Sequence, residues 1–219
     1  MLLEDLKAIT NFNNYVIFVD LDGTITSSRI NNTYHFIMAF YKINRRTIGL
    51  LLFMFLSCIA KILAHLSALA RFSLNWNAIF ISMLFFGHNV NQLKYFSYVW
   101  YKILFCLNLI NINLLKVLKY LKKGGARIIM LTSCPELPAQ IIADFLKFDS
   151  CLARRFTIKS NRIIGLMDTE SVSMLKLKHL SQNKHLYNKK MKIYILDGTS
   201  AKTEYKILKF FDKIIIVQT

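Results

Sequence analysis

Four short runs of β-branched and aromatic residues stand out in this chain: Tyr15–Val19 (YVIFV), Ala126–Leu131 (ARIIML), Lys192–Leu196 (KIYIL) and Lys213–Val217 (KIIIV). Each is apolar almost throughout rather than alternating, the pattern of a strand covered on both faces. The first three stop at polar residues: Asp20 to Gly23, Thr132-Ser133, and Asp197-Gly198. Helical periodicity follows in Pro138–Leu146, Ser173–Leu180 and Glu204–Phe210, and 154–159 with 162–164 read as a hairpin around Ser160-Asn161. From Asn32 to Leu121 the pattern is helical or plainly apolar, with no further strand of this kind. Strands alternating with helices predict an α/β fold with a parallel sheet. In such sheets ligands sit beyond the carboxyl ends of the strands, where Asp20/Asp22, Thr132/Ser133 and Asp197 fall.

A chain of 219 residues is one large domain, or a core with an insertion. At 54% hydrophobic and 19% charged it is no disordered polymer, and 7 Gly with 2 Pro exclude a linker-rich one. The mean hydropathy of +0.37 is high for an ordinary soluble domain and brings membrane contact into view. Charge sharpens this. Lys plus Arg is 29 against 12 Asp plus Glu, a net +17, and 13 of the basic residues lie between Gly23 and Pro135, where there is no acid at all. A segment both basic and apolar suits an anionic phospholipid surface better than a nucleic acid, and no nucleic-acid-binding motif accompanies the charge. Cys58, Cys106, Cys134 and Cys151 are scattered, so neither a zinc site nor a disulfide framework is expected. The start, MLLEDLKAIT, carries two acids and lacks the apolar core of a secretory signal.

The sharpest chemical signal is Asp20-Leu21-Asp22-Gly23-Thr24. Two carboxylates spaced i, i+2 at a strand end allow one to attack while the other moves a proton. A carboxylate nucleophile divides phosphoester hydrolysis into two displacements through an aspartyl-phosphate. The phosphoryl group is anionic and would be repelled by a bare carboxylate, so a divalent cation is expected, Mg²⁺ being the oxygen-seeking choice. The competing reading, a calcium loop, asks for Glu at its twelfth position, and counting from Asp20 that residue is Asn31.

With these residues in place, the chain from Tyr15 onward resembles the haloacid dehalogenase-like phosphatase superfamily. VDLDGT is similar to its first motif, which implies Asp20 as nucleophile, Asp22 as general acid/base and Gly23 beside the substrate. MLTS resembles the second, which implies Thr132 and Ser133 at the phosphoryl oxygens. NRIIG, with KLKHL beginning nearby, resembles the arrangement that supplies the lysine and selects Lys176, with Lys178 as the runner-up. The fourth motif departs from the family. ILDGTSAKTE has Asp197 at the strand end but Ala201 four residues on, and Glu204 has Ser200 four residues back. The resemblance implies metal ligands among Asp20, Asp22, Asp197, Ser200 and Glu204, with Asp197 favoured over Ser200 as the harder ligand.

The resemblance also implies a Rossmann-like catalytic core, 1–30 and 122–219, with an inserted helical cap, 31–121. Within the cap, Thr47–Ala70 holds a single formal charge, Lys61. Ile48–Ala60 is 13 residues, about 20 Å as a helix against a hydrocarbon core of about 30 Å. Extending it to Ala70 would bury Lys61 near mid-bilayer at about 3 kcal/mol. A peripheral or shallow helical hairpin with Ala78–Gly87 avoids that cost, with Arg45, Arg46 and Arg71 reaching headgroups; a buried helix of a larger cap is the alternative. Within the superfamily the apolar cap, Phe86-Gly87-His88 and TSCPE resemble subfamily IB, most closely the type C phosphatidylglycerophosphate phosphatases. That implies a lipid phosphate substrate and a place on the cytoplasmic face of the inner membrane. A soluble phosphoserine phosphatase-like enzyme and a degenerate binding protein remain as alternatives. The sequence sets no oligomeric state.

Overall fold

The computed structural model describes residues 12–27, 32–43, 51, 54, 55, 58, 59, 62, 76–166, 168–188 and 190–217. Five parallel strands form the main sheet: β1 (Tyr15–Val19), β2 (Arg127–Pro135), β3 (Ser150–Arg154), β6 (Met191–Asp197) and β7 (Lys213–Val217), in the order β3-β2-β1-β6-β7. The α/β reading is therefore correct. β1 is central, with Val16 opposite Arg127 on one side and Lys192 on the other. Its side chains alternate between two apolar layers, which is why an all-apolar run is needed. Ile17 and Val19 join one layer with Ile128, Met130, Ile193 and Ile195. Val16 and Phe18 join the other with Ile129, Leu131, Tyr194 and Leu196.

Two expected boundaries change. β3 was not among the expected strands, because SCLAR is short and has no β-branched or aromatic residue; it is read as a strand only once β2 is beside it. The helix expected over 138–146 is α5 (Glu136–Phe145), while the one expected over 204–210 is shorter, α8 (Tyr205–Leu208), and is preceded across a break at Glu204 by α7 (Gly198–Thr203). The hairpin is present as β4 (Phe156–Lys159) and β5 (Arg162–Leu166), turning through Ser160 and Asn161 at positive φ.

The insertion leaves and rejoins the core side by side. Ser27 N donates to Leu109 O at 2.8 Å and Asn111 N to Ile25 O at 2.8 Å. Between these points lie α1 (Asn32–Ile43), α2 (Trp76–Phe85) and α3 (Val90–Cys106). Their shared core is aromatic: Phe36 meets Phe96 at 5.3 Å and Trp100 at 5.4 Å, and Phe40 meets Phe85 at 5.6 Å. α4 (Ile112–Lys123) follows the point where the chain rejoins the core and runs across the expected boundary at 121. It buries Leu114, Val117, Leu118 and Leu121 at i, i+3, i+4, i+7 in the same core layer as Ile128 and Met130. Lys116, Lys119 and Lys123 occupy its exposed side. Phe86-Gly87-His88 joins the cap to the hairpin: Gly87, at φ +77°, donates its N–H to Ile163 O at 2.7 Å, and the His88 ring packs on Phe40 at 5.3 Å.

Among the described residues no helix is long and apolar enough to cross a membrane. Most of 47–70, with Arg45, Arg46, Lys61 and Arg71, lies outside the described residues, so the first arm of the expected membrane hairpin does too; its second arm, Ala78–Gly87, is α2 with the turn after it, where Ala78, Leu84 and Phe85 are buried.

Candidate active site

β1 ends at Asp20, whose backbone N–H still bonds to Ile195 O of β6 at 3.0 Å. The chain then makes one wide turn over Leu21–Ile25, closed by Thr26 N to Leu21 O at 3.0 Å. Asp22 stays extended and Gly23 takes φ +70°. A Cβ on Gly23 would lie 2.9 Å from Asp197 Cγ. Glycine is thus required twice, for the left-handed backbone and for the close approach of the β6 end. Replacing Gly23 by Ala is expected to cost about 1–2 kcal/mol of strain and to displace Asp197. Denaturant unfolding checks the first effect, and a raised Mg²⁺ concentration for half-maximal activity checks the second.

Asp20 is 3% exposed. Its Oδ1 accepts the Leu21 N–H at 2.8 Å and lies 3.2 Å from Lys176 Nζ. Lys176 comes from α6 (Val172–Gln182) and is itself 1% exposed. It also donates to Glu204 Oε1 at 2.6 Å and Tyr194 Oη at 2.9 Å. Burial pushes the Asp20 carboxyl up to about 7, with Glu204 and Asp22 adding to the rise and Lys176 opposing it. Burial works against the Lys176 charge, but Asp20 and Glu204 outweigh it and hold the ammonium above its ordinary range. The ammonium is therefore firmly charged, while Asp20 needs a further positive charge to stay ionised at neutral pH.

Asp22 follows Asp20 by two residues, and its Oδ2 accepts from Cys134 Sγ at 3.0 Å. Cys134 lies on β2, where the register against β3 shifts between Leu131 and Pro135. Such an irregularity re-aims side chains at a strand end. Here Thr132 Oγ1 accepts the Cys134 N–H at 3.1 Å, which fixes the hydroxyl at the end of β2 beside Asp22's partner Cys134. Ser133 presents its carbonyl to Arg154 Nε at 3.3 Å.

Two residues named from the sequence have charged partners of their own. Glu204, expected among the metal ligands, has both carboxylate oxygens engaged: Oε1 by Lys176, and Oε2 by the Tyr194 hydroxyl at 2.9 Å. It is a partner of the lysine. Lys178, the runner-up to Lys176, pairs instead with Asp168 at 2.8 Å and Glu170 at 2.7 Å in the loop before α6. Two residues of this site were not identified from the sequence. Cys134 reads in the sequence as one of four scattered cysteines, and Tyr194 as one more residue of an apolar run; only spatial neighbours reveal what their polar atoms meet.

The cation is tested by what the strand ends offer. Asp20 and Asp197 terminate adjacent strands on either side of the Gly23 cradle. Asp197 caps α7, accepting Thr199 N at 2.9 Å and Ser200 N at 3.1 Å, which leaves further lone pairs on both oxygens. Among the described residues no group of three or more His, Cys, Asp or Glu converges as a ready-made metal cage. A cation needing many protein ligands does not fit. Mg²⁺ does, because it takes one or two carboxylates and completes its shell with water and phosphate oxygens. Asp20 and Asp197 would hold it, with Asp22 adjoining and Ser200 contributing at most a neutral oxygen.

The family model of the haloacid dehalogenase-like hydrolases matches residues 17–194, and the chain belongs to that family. Membership and the two-aspartate strand end make it an enzyme, a hydrolase of the phosphatase type. No curated protein matches the chain. Among solved structures, a protein of unknown function from Bordetella pertussis Tohama I is 12% identical, with TM-score 0.64, covering 93% of this chain and 98% of that one. Cytosolic 5'-nucleotidase IIIB bound to cytidine is 9% identical, with TM-score 0.61 and coverages of 97% and 74%. A probable phosphoserine phosphatase from Vibrio cholerae is 9% identical, with TM-score 0.58 and coverages of 91% and 55%. At these identities the likeness is one of fold.

Proposed function

We propose that the protein is a Mg²⁺-dependent phosphomonoesterase acting through an aspartyl-phosphate on a phosphate-bearing membrane lipid, with phosphatidylglycerophosphate the best single candidate. Asp20 attacks phosphorus, and Asp22 protonates the departing alkoxide. Asp22 then takes a proton from the water that cleaves the aspartyl-phosphate. Lys176 and the Thr132 hydroxyl hold phosphoryl oxygens as charge builds on them. When bound, the cation shields the phosphate charge and favours ionised Asp20.

The observation that carries the lipid reading is the cap. It combines an acid-free, basic sequence with large apolar side chains left in solvent: Leu51, Phe55, Ile62, Met83 and Phe86 are each between 59% and 64% exposed. A cap that only closes over a small polar substrate has no use for such side chains, whereas an anionic bilayer surface takes up both the charge and the apolar groups. The proposed location is the cytoplasmic face of the inner membrane, held peripherally.

Phosphate release from phosphatidylglycerophosphate in mixed vesicles, measured beside phosphoserine with and without Mg²⁺, tests this. The expected result is Mg²⁺-dependent release at least tenfold faster from the lipid, with the protein floating with anionic vesicles. Faster release from phosphoserine by protein that does not float would replace the lipid reading with a soluble one. No release from any phosphomonoester would identify a degenerate binding protein.

A further inference from the structure

We propose that Tyr194 and Glu204 are positioning residues that clamp the Lys176 ammonium against Asp20, and that Glu204 thereby serves the lysine rather than the cation. The inference rests on Asp20 being the phosphoryl acceptor. An ammonium has three protons, and here each has a partner: Asp20 Oδ1 at 3.2 Å, Tyr194 Oη at 2.9 Å and Glu204 Oε1 at 2.6 Å. The Tyr194 hydroxyl passes its own proton to Glu204 Oε2 at 2.9 Å. Lysine, tyrosine and glutamate therefore close a ring in which every donor is used, and the proton now directed at Asp20 is the one that turns to a phosphoryl oxygen when Asp20 bonds phosphorus. The ring is almost dry, with Lys176 1%, Tyr194 0% and Glu204 3% exposed. Buried charges are retained only when fully paired, and these are.

A lysine carries its charge on a flexible four-carbon stem. Holding a phosphoryl oxygen in the transition state demands placement within about 0.5 Å, which neighbouring side chains must supply. Three elements meet to supply it. α6 brings Lys176. β6 brings Tyr194 on the sheet face where α6 packs, and a one-residue slip would carry its hydroxyl to the opposite face. The break between α7 and α8 brings Glu204, whose N–H bonds back to Ser200 O at 2.9 Å. That break follows Asp197 by seven residues, so the second acid of this loop arrives behind the lysine, while Asp197 remains at the Gly23 cradle.

The test compares Tyr194→Phe and Glu204→Gln with the wild type for kcat, KM and the Mg²⁺ concentration giving half-maximal activity. kcat is expected to fall about tenfold in Tyr194→Phe, the loss of one hydrogen bond to a charged group, and about a hundredfold in Glu204→Gln. KM and the Mg²⁺ requirement should stay within twofold. A merely structural role would lower thermal stability but leave kcat per folded molecule unchanged, and that result overturns the proposal. A tenfold rise in the Mg²⁺ requirement of Glu204→Gln also overturns it, by making Glu204 a metal ligand. Acetylation by acetic anhydride, read by mass spectrometry at Lys176, locates the ammonium without turnover. Lys176 should resist in the wild type and react at least tenfold faster in both variants; equal rates overturn the clamp. Wild-type protein that releases no phosphate would refute the phosphatase reading alone, and the labelling would still decide the clamp.

Discussion

Replacing Asp20 by Asn is expected to lower phosphate release by about 10⁴-fold or more while leaving the protein folded. The size follows from the role: an amide cannot form the acyl-phosphate bond, and losing the nucleophile of a covalent mechanism removes most of the rate enhancement. The retained fold follows from the packing. The Asp20 carboxyl is already pushed up to about 7 by burial, so its charge is costly to the folded state. Lys176 keeps Glu204 at 2.6 Å when the Asp20 charge is removed. Asn is near-isosteric and can still accept the Leu21 N–H that Oδ1 now receives at 2.8 Å. Circular dichroism and a thermal melt close to wild type, beside a phosphate-release assay at background, are the expected pair of results.

The second large effect is at Lys176, where Met keeps the stem and removes the charge. Asp20 and Glu204 then face each other in a dry pocket with no cation between them. Breaking a buried pair by removing one partner costs about 3–5 kcal/mol, so Lys176→Met should unfold at markedly lower denaturant than the wild type. The deficit should shrink as pH falls, because Asp20, whose carboxyl burial already pushes up to about 7, takes up a proton and stops repelling Glu204. Turnover should fall about 10³-fold even where the variant is folded, through loss of the charge that holds the phosphoryl oxygens. Denaturant titrations at neutral and mildly acidic pH, with kcat measured at low temperature, separate the two losses. By contrast Lys178→Met, only two residues away, should leave turnover within a few-fold, because its partners Asp168 and Glu170 lie in the loop before α6.

How much of this was legible in the sequence depends on whether the signal is local. Tyr15–Val19 was readable to the residue, because β1 is covered on both faces and must be apolar throughout; Lys213–Val217 was equally readable from its β-branched run, although β7 is an edge strand with Ile214 and Ile216 exposed. Asp20 and Asp22 were readable because the motif sits at a strand end. β3 was not: Ser150 and Arg154 bracket a weak run whose strand character comes from its neighbour β2. Periodicity alone could not place α4 with the sheet or with the cap, because a helix that packs on either carries the same pattern. The choice between Lys176 and Lys178 needed the fold, since both lie on one helix and only distance separates their roles. The same holds for Glu204. In the chain it stands near Asp197 and reads as its companion. In space it meets Lys176, 28 residues away, and Tyr194, ten residues away. Tyr194 shows the limit most plainly, because a tyrosine in an apolar run gives no hint of what its hydroxyl meets.

The central claim is that the Asp20 carboxylate itself takes the phosphoryl group. Acid quenching during turnover of the lipid phosphate, followed by borohydride reduction and mass spectrometry of the digested protein, tests it directly. The account predicts that the peptide containing Asp20 carries the modified side chain, only when substrate and Mg²⁺ are both present. Modification at a different residue, or steady phosphate release with Asp20 left untouched, would contradict it.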